Sequence, residues 1–311
     1  MQTGKTPLAA GLPGNASSTM GVKGMPSDQV TIAEILKEHG FVTGHVGKWH
    51  PGYTPETMPN GQGFDYSFGH MGGCIDNYYI DNYSHFFYLA GPNRHDLWEN
   101  GQEIWRDGVY FQDLMAEKVD WFVEENRDNT FFLYYAINLP HYPLQGTAKW
   151  RDHYQDMESP RSKYAACVST VDERIGQLLA KLEFMGIREN TIIIFQSDHG
   201  HSMEERTFGG GGNSGIYRGA KFSLFEGGIR VPAMISWRDH LPENEVRDQL
   251  CVNVDWLPTV LELCGVPYDT VTFEGKSMKS VIMNNAPSSH DVFCWYSNDN
   301  RWLCEKGSGS C

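Results

Sequence analysis

The chain has 311 residues, enough for one large domain or two modest ones around a sizeable core. Apolar residues make up 40% and charged residues 21%, with 16 Phe, 15 Tyr and 9 Trp, which excludes a disordered polymer. Its 25 basic and 39 acidic side chains give a net charge of −14, so no nucleic-acid partner is expected, although a local pocket for a small anion is compatible with that balance.

Met1–Gly24 is rich in Gly, Ser, Thr and Pro and lacks the basic-then-apolar order of a signal peptide. The spacing predicts a first helix that Ser27 or Asp28 caps, with Val30, Ile32, Ala33, Ile35 and Leu36 as its apolar side and Gly40 as its end. Phe41–Val46 reads as a strand, followed at once by Gly47-Lys48-Trp49-His50. Pro51–Arg106 reads as a long irregular segment, aromatic enough to be folded against something. Asp107–Glu125 reads as a helix using Val109, Leu114, Val119, Phe122 and Val123, and Phe131–Ile137 as a core strand. Ser162–Met185 has apolar residues three and four apart and predicts a continuously striped helix. Thr191–Gln196 and Ile229–Trp237 read as strands and Asn253–Cys264 as a helix, while Val292–Tyr296 reads as an edge strand. Alternating helices and apolar strands indicate an α/β domain with helices on both sheet faces. No apolar run reaches the roughly 18 residues of a membrane span, so no transmembrane anchor is expected. The seven cysteines form no CxxC pair; scattered thiols fit them, and spacing alone does not fix a disulfide among Cys294, Cys304 and Cys311. Asn15-Ala16-Ser17 and Asn82-Tyr83-Ser84 are glycosylation sequons.

In such a sheet, ligands gather beyond the carboxyl ends of the strands. Lys48 and His50 follow the first strand, His141 follows Phe131–Ile137, and Asp198 and His199 follow Thr191–Gln196; Arg218 and Lys221 lie in the turn before the next strand. Asp198 and His199 offer a carboxylate and an imidazole to one metal, but an Asp capping the next turn beside a surface His fits as well. The lysines suit an anion whose charge must be held while a bond breaks, and the histidines suit proton transfer to a leaving oxygen. This chemistry fits an anionic ester, phosphate or sulfate, without choosing between them. Gly209–Gly212 lacks the P-loop and dinucleotide patterns and reads as a loop beside the site. Glu226–Pro232 reads as a structural turn.

Gly40-Phe41-Val42-Thr43-Gly44-His45-Val46-Gly47-Lys48-Trp49-His50, Phe195-Gln196-Ser197-Asp198-His199-Gly200 and Glu226–Pro232 resemble signatures of the formylglycine-dependent sulfatases, within the alkaline-phosphatase-like superfamily. Gly63-Phe64-Asp65-Tyr66 and Pro140-His141 add to this resemblance, which runs from Gln2 to about Val266. It implies a mixed α/β sheet covered by helices, with residues 1–267 forming part of a catalytic domain and 268–311 a remnant of a C-terminal region. It also implies hydrolysis of a sulfate monoester on a small molecule or sugar. Lys48 would hold the nucleophile or the sulfate, and His50 would hydrogen-bond the nucleophile. His141 would give a proton to the leaving oxygen, and Lys221 would bind a sulfate oxygen. Asp198 and His199 would be ligands of calcium or another divalent cation. The family's Asp-Asp pair and its Cys-x-Pro-x-Arg or Ser-x-Pro-x-Arg motif, which yields formylglycine, do not occur in these 311 residues. The resemblance therefore places half of the metal ligands, the nucleophile and the first core strand upstream. This polypeptide is expected to be inactive alone and to bind metal weakly. The alternatives are a non-catalytic sulfatase-like remnant or a phosphatase or phosphonate hydrolase of the same superfamily. Compartment stays open; an upstream signal would make the protein secreted, periplasmic or lysosomal.

Overall fold

A computed structural model of the chain describes residues 1–78, 95–269, 272–297 and 301–306; the sequon at Asn82 lies outside the described residues. Helix α1 spans Ile32–Glu38 and starts later than Ser27 or Asp28 would place it. Thr31 caps it instead: its hydroxyl accepts from the Glu34 N–H at 3.2 Å, and the Glu34 carboxylate accepts from the Thr31 N–H at 2.7 Å. Val30 thus falls before the helix and is exposed.

Strand β1 (Val42–Lys48) sits inside a five-stranded sheet of order β4-β3-β2-β1-β5, with β2 Tyr66–His70, β3 Trp98–Glu99, β4 Gln102–Glu103 and β5 Phe131–Ala136. β1 runs parallel to β2 and β5, whereas β3 pairs antiparallel with both β2 and β4, so the sheet is mixed. The segment 51–106 therefore supplies three strands where an irregular chain was expected. β2 is buried along its whole length, but Ser67 and Gly69 interrupt its apolar pattern and hide it in the sequence. Gly47 and Gly69 are opposite each other in register, both at positive φ (121° and 145°). A Cβ on Gly47 would lie 2.1 Å from the Ala136 carbonyl oxygen, and one on Gly69 would lie 1.8 Å from that of Gly47. Glycine at both positions lets the three strands close up just before Lys48.

Helices cover both faces, as the alternating pattern predicts. On one side, α2 (Phe111–Glu125) packs Phe111, Leu114, Met115, Val119 and Phe122 against the sheet, and Phe131, Leu133 and Tyr135 of β5 join that core. On the other, α1 and α6 (Trp256–Leu263) contribute Leu36, Leu257 and Leu261, which Phe132 of β5 joins. The period-two split of β5 between two helix layers follows from the pleat. Each fully buried side chain of this kind contributes about 1.5–3 kcal/mol.

Between β5 and β6 (Ile193–Gln196) lie α3 (Ala148–His153) and α4 (Arg161–Phe184). α4 buries Ala166, Cys167, Thr170, Val171 and Leu182 but exposes Val168, so its buried stripe is narrower than its spacing predicts. β6 pairs antiparallel with β7 (Ala233–Ser236) in a separate two-stranded sheet. The strand expected from Ile229 begins only after Pro232, because Glu226–Ile229 forms the helical turn α5. A 3-10 turn at Asn253–Asp255 leads into α6, and α7 spans Lys279–Asn284. β8 (Val292–Ser297) and β9 (Arg301–Lys306) form a hairpin in which Cys294 lies opposite Cys304 and is disulfide-bonded to it. Among the described residues no helix is long and apolar enough to cross a membrane.

Candidate active site

Three strands deliver side chains to one place. Lys48 is the last residue of β1, and His50 lies two residues beyond. His141 sits in the turn after β5, where its N–H donates to the Asn138 carbonyl at 3.0 Å. Asp198 and His199 follow β6, and Gly200 then docks on α5, its N–H donating to the Gly228 carbonyl at 2.9 Å. That approach leaves no room for a side chain, since a Cβ on Gly200 would lie 1.9 Å from the Gly227 carbonyl oxygen. Lys221 is tied to the same turn through its N–H, which donates to the His201 carbonyl at 2.9 Å.

Lys48 stands in register opposite His70, and the Lys221 ammonium lies 5.9 Å from the ring centre of Tyr142, next to His141. Burial pulls the Lys48 ammonium below its ordinary range; Asp198 counteracts this and Lys221 adds to it. Burial, then Lys48, brings His50 down to about 4, against a backbone hydrogen bond with Ala16 and with a further push from Lys221. The Nε2 of His50 lies 3.2 Å from the Ser18 Oγ, which also accepts from the Gly73 N–H at 3.0 Å. His141 is lowered to about 2, by burial first and then Lys48, with Lys221 and His199 adding to the shift. Its Nδ1 is 2.8 Å from the Tyr142 carbonyl oxygen, an acceptor only, so Nδ1 carries the proton and Nε2 is a free lone pair in the neutral ring. The site thus gathers two lysines and two imidazoles that are neutral near pH 7. An entering anion would favour a proton on Nε2 of His141 and so prepare it as an acid.

Lys48, His50, His141, Asp198, His199 and Lys221 come to this region, whereas Arg218 stands over the Phe225 ring at 4.2 Å, and Asp198 with His199 does not make a cation site by itself. The Asp198 side chain is 81% exposed and turned toward its neighbour, with Oδ2 3.2 Å from the His199 Nε2. The Nδ1 of His199 is 2.8 Å from the Gly200 carbonyl oxygen. Among the described residues no group of three or more His, Cys, Asp or Glu side chains could hold a metal ion. A calcium-like cation takes six to eight oxygens, so these two donors do not fit it by themselves.

Sequence patterns missed the rest of the wall. His70 ends β2 and faces Lys48, His50 and His141 electrostatically, and Cys74 lies in the field of Lys48, Arg206 and Lys221. Tyr142 lies under two cations, with the Arg206 guanidinium 5.0 Å and the Lys221 ammonium 5.9 Å from its ring centre. Glu204 pairs with both Arg206 and Lys221. None of these belongs to a spaced motif; the signal was limited to a charged Glu204-Glu205-Arg206 stretch and a His141-Tyr142 neighbour pair. The glycine run packs against the chain that follows Gly200, since a Cβ on Gly210 would lie 2.3 Å from the Ser202 carbonyl oxygen and one on Gly212 2.2 Å from the His201 Cβ; the cleft of about 440 Å³ that it lines with Glu158–Arg161 contains none of the six residues.

A family model described as Sulfatase matches residues 3–266. The chain belongs to the sulfatase family, of the alkaline-phosphatase-like superfamily. It is 29% identical over 313 residues to human arylsulfatase A, covering 94% of this chain and 59% of that protein. It is 30% identical over 287 residues to an arylsulfatase of Hemicentrotus pulcherrimus, covering 89% and 50%. The chain spans about half the length of the curated relatives it matches. Among solved structures, Ps i-CgsB in complex with k-i-k-neocarrahexaose superposes with a TM-score of 0.82 at 27% identity, covering 98% of this chain and 73% of that one. The PsFucS1 sulfatase from Pseudoalteromonas sp. shares the fold, with a TM-score of 0.78 at 22% identity over 97% of this chain and 65% of that one. Sulfatases are in general formylglycine-dependent, metal-using hydrolases.

Proposed function

We propose that this chain carries most of an active site that hydrolyses a sulfate monoester to an alcohol and inorganic sulfate. The observation that carries the proposal is that Lys48 with His50, His141 and Lys221 come from separate segments yet meet beyond the ends of the adjacent strands β1 and β5, with the Lys221 ammonium 5.9 Å from the ring centre of Tyr142 beside His141. Lys48 and Lys221 hold the sulfuryl oxygens and offset the charge that builds up on them. His50 hydrogen-bonds the attacking nucleophile. As the bond from sulfur to the alcohol oxygen breaks, its electron pair leaves with that oxygen, and His141 supplies the proton that neutralises it. Asp198 and His199 are two donors toward a divalent cation, calcium in the family pattern; among the described residues no third His, Cys, Asp or Glu side chain completes a group with them. The 27% identical Ps i-CgsB was solved in complex with the sugar k-i-k-neocarrahexaose, which favours a sulfated sugar as substrate.

The nucleophile motif is absent from these 311 residues, which favours a second reading, a chain that binds its anion without turning it over. The test has two arms. The 311-residue chain should bind methyl sulfate yet show only background turnover of aryl and sugar sulfates. If upstream coding sequence holds the Asp-Asp pair and the Cys or Ser motif, the extended chain, expressed with its maturation system, should be a sulfatase. Robust turnover by the 311-residue chain, abolished by one local substitution, overturns the inactivity. Failure of the extended and matured chain to hydrolyse any sulfate ester leaves the non-catalytic reading standing.

A further inference from the structure

The anion site has a counter-charge built into its wall. Glu204 is held by Ser202, whose hydroxyl donates to Oε2 at 3.0 Å, and by Arg206, whose Nε donates to Oε1 at 2.8 Å. The Lys221 ammonium lies 3.5 Å from Oε2, and only 17% of the Glu204 side chain is exposed. Burial opposes its ionisation, but the bond from Arg206 and the charge of Lys221 outweigh that and keep the carboxyl below its usual range. Both of its cationic partners, Arg206 and Lys221, stand over the ring of Tyr142, the neighbour of His141, so the carboxylate is tied to the same wall as the anion-site cations. The site therefore holds three cations, Lys48, Arg206 and Lys221, against one sheltered carboxylate. The other carboxylate, Asp198, is mostly in solvent and correspondingly screened.

A sulfate monoester carries one negative charge, and a phosphate monoester of nearly the same shape carries two above its second pKa of about 6. Geometry cannot separate them, whereas charge can. Repulsion by a fixed carboxylate scales with the charge of the ligand, so it penalises the dianion twice as heavily. We propose that Glu204 tunes the charge selectivity of this site, lowering its net positive charge and so shifting its preference from dianionic phosphate esters toward monoanionic sulfate esters. This inference rests on the anion-site reading above and deepens it by naming what distinguishes the two ester classes. Glu204 acts through the field and through the placement of Lys221 and Arg206; it is a positioning residue.

The experiment is calorimetric titration of the 311-residue chain at pH 8 with methyl sulfate and with methyl phosphate, an isosteric monoanion and dianion. Glu204→Gln should tighten methyl phosphate more than methyl sulfate and shift their affinity ratio toward the dianion by about fivefold, the size expected for one charge several ångströms away at intermediate dielectric. Glu204→Asp, which keeps the charge, should retain the wild-type ratio. Arg206→Gln should move the ratio the other way, a check that stands even if Glu204→Gln does not fold. A ratio unchanged in Glu204→Gln and Arg206→Gln, in chains that bind both anions, overturns the inference while leaving the anion site intact. If the wild-type chain binds neither anion, the anion site and the inference fall together.

Discussion

Lys48 at the end of β1 stands in register opposite His70 at the end of β2, and His70 is fully buried. Burial, then Lys48, His50 and His141, holds His70 well below its ordinary pKa. The ring is therefore neutral near pH 7, and the positive charge at these strand ends belongs to the ammonium. Lys48→Met keeps the length of the side chain and removes that charge. It should weaken methyl sulfate binding by about tenfold, the scale of one charge-assisted hydrogen bond. Because Lys48 is itself depressed by burial, the same substitution should leave thermal stability unchanged or raised. Unchanged affinity in calorimetry would remove Lys48 from the site.

His45 gives the fold an acid limit. It is fully buried in β1 among Trp49, Phe64 and Tyr134, its Nε2 3.2 Å from the Lys48 carbonyl oxygen. Burial lowers its pKa to about 4, against that hydrogen bond, from the ordinary 6.5. Between those values the unfolded chain binds a proton that the folded chain does not, so stability is full above pH 6.5 and falls as pH drops toward 4. The loss from this residue is about 3 kcal/mol. His45→Gln should flatten the dependence of urea-unfolding free energy on pH across that window. An unaltered slope would mean that other histidines carry it.

Calcium should bind this chain weakly. Two donors leave such a cation mostly hydrated, so calorimetry at neutral pH should give a dissociation constant no tighter than about 1 mM, the weak end of protein sites. Asp198→Ala should change it little, given the exposure of that side chain. Submicromolar binding lost in Asp198→Ala would mean that further ligands reach the ion.

The α/β class and both covering layers were legible because period acts locally, β5 alternating between two helix layers, and the six site candidates could be named because each ends a strand or opens a turn. What stayed hidden depends on contacts distant in sequence. β2 owes its burial to neighbours on both sides, so Ser67 and Gly69 could sit in it despite breaking the pattern. α1 starts at Thr31 because that hydroxyl also donates to the Gln62 carbonyl at 2.8 Å, a tertiary bond that local spacing does not encode. Glu204 meets Lys221 across a folded loop, and His70 meets Lys48 across a sheet; neither pair has a spacing that could announce it.

His141 is where the chemical assignment is most exposed, and a chain carrying the nucleophile motif is needed to test it. With Nδ1 bonded to the Tyr142 carbonyl, only Nε2 can carry a transferable proton, and burial, then Lys48 and Lys221, oppose protonation there. A strongly basic alcohol oxygen needs the proton as it leaves, whereas a phenolate-like group with low pKa does not. His141→Ala should therefore reduce kcat/KM by about 100-fold or more for poor leaving groups and much less for good ones. Lys221→Ala should depress the whole series, because it removes stabilisation from sulfuryl oxygens whatever the alcohol. The measurement is kcat/KM across a series of sulfate esters graded by leaving-group pKa. A uniform loss in His141→Ala would reassign this residue to holding the sulfuryl group, since binding alone cannot distinguish one alcohol from another by its basicity.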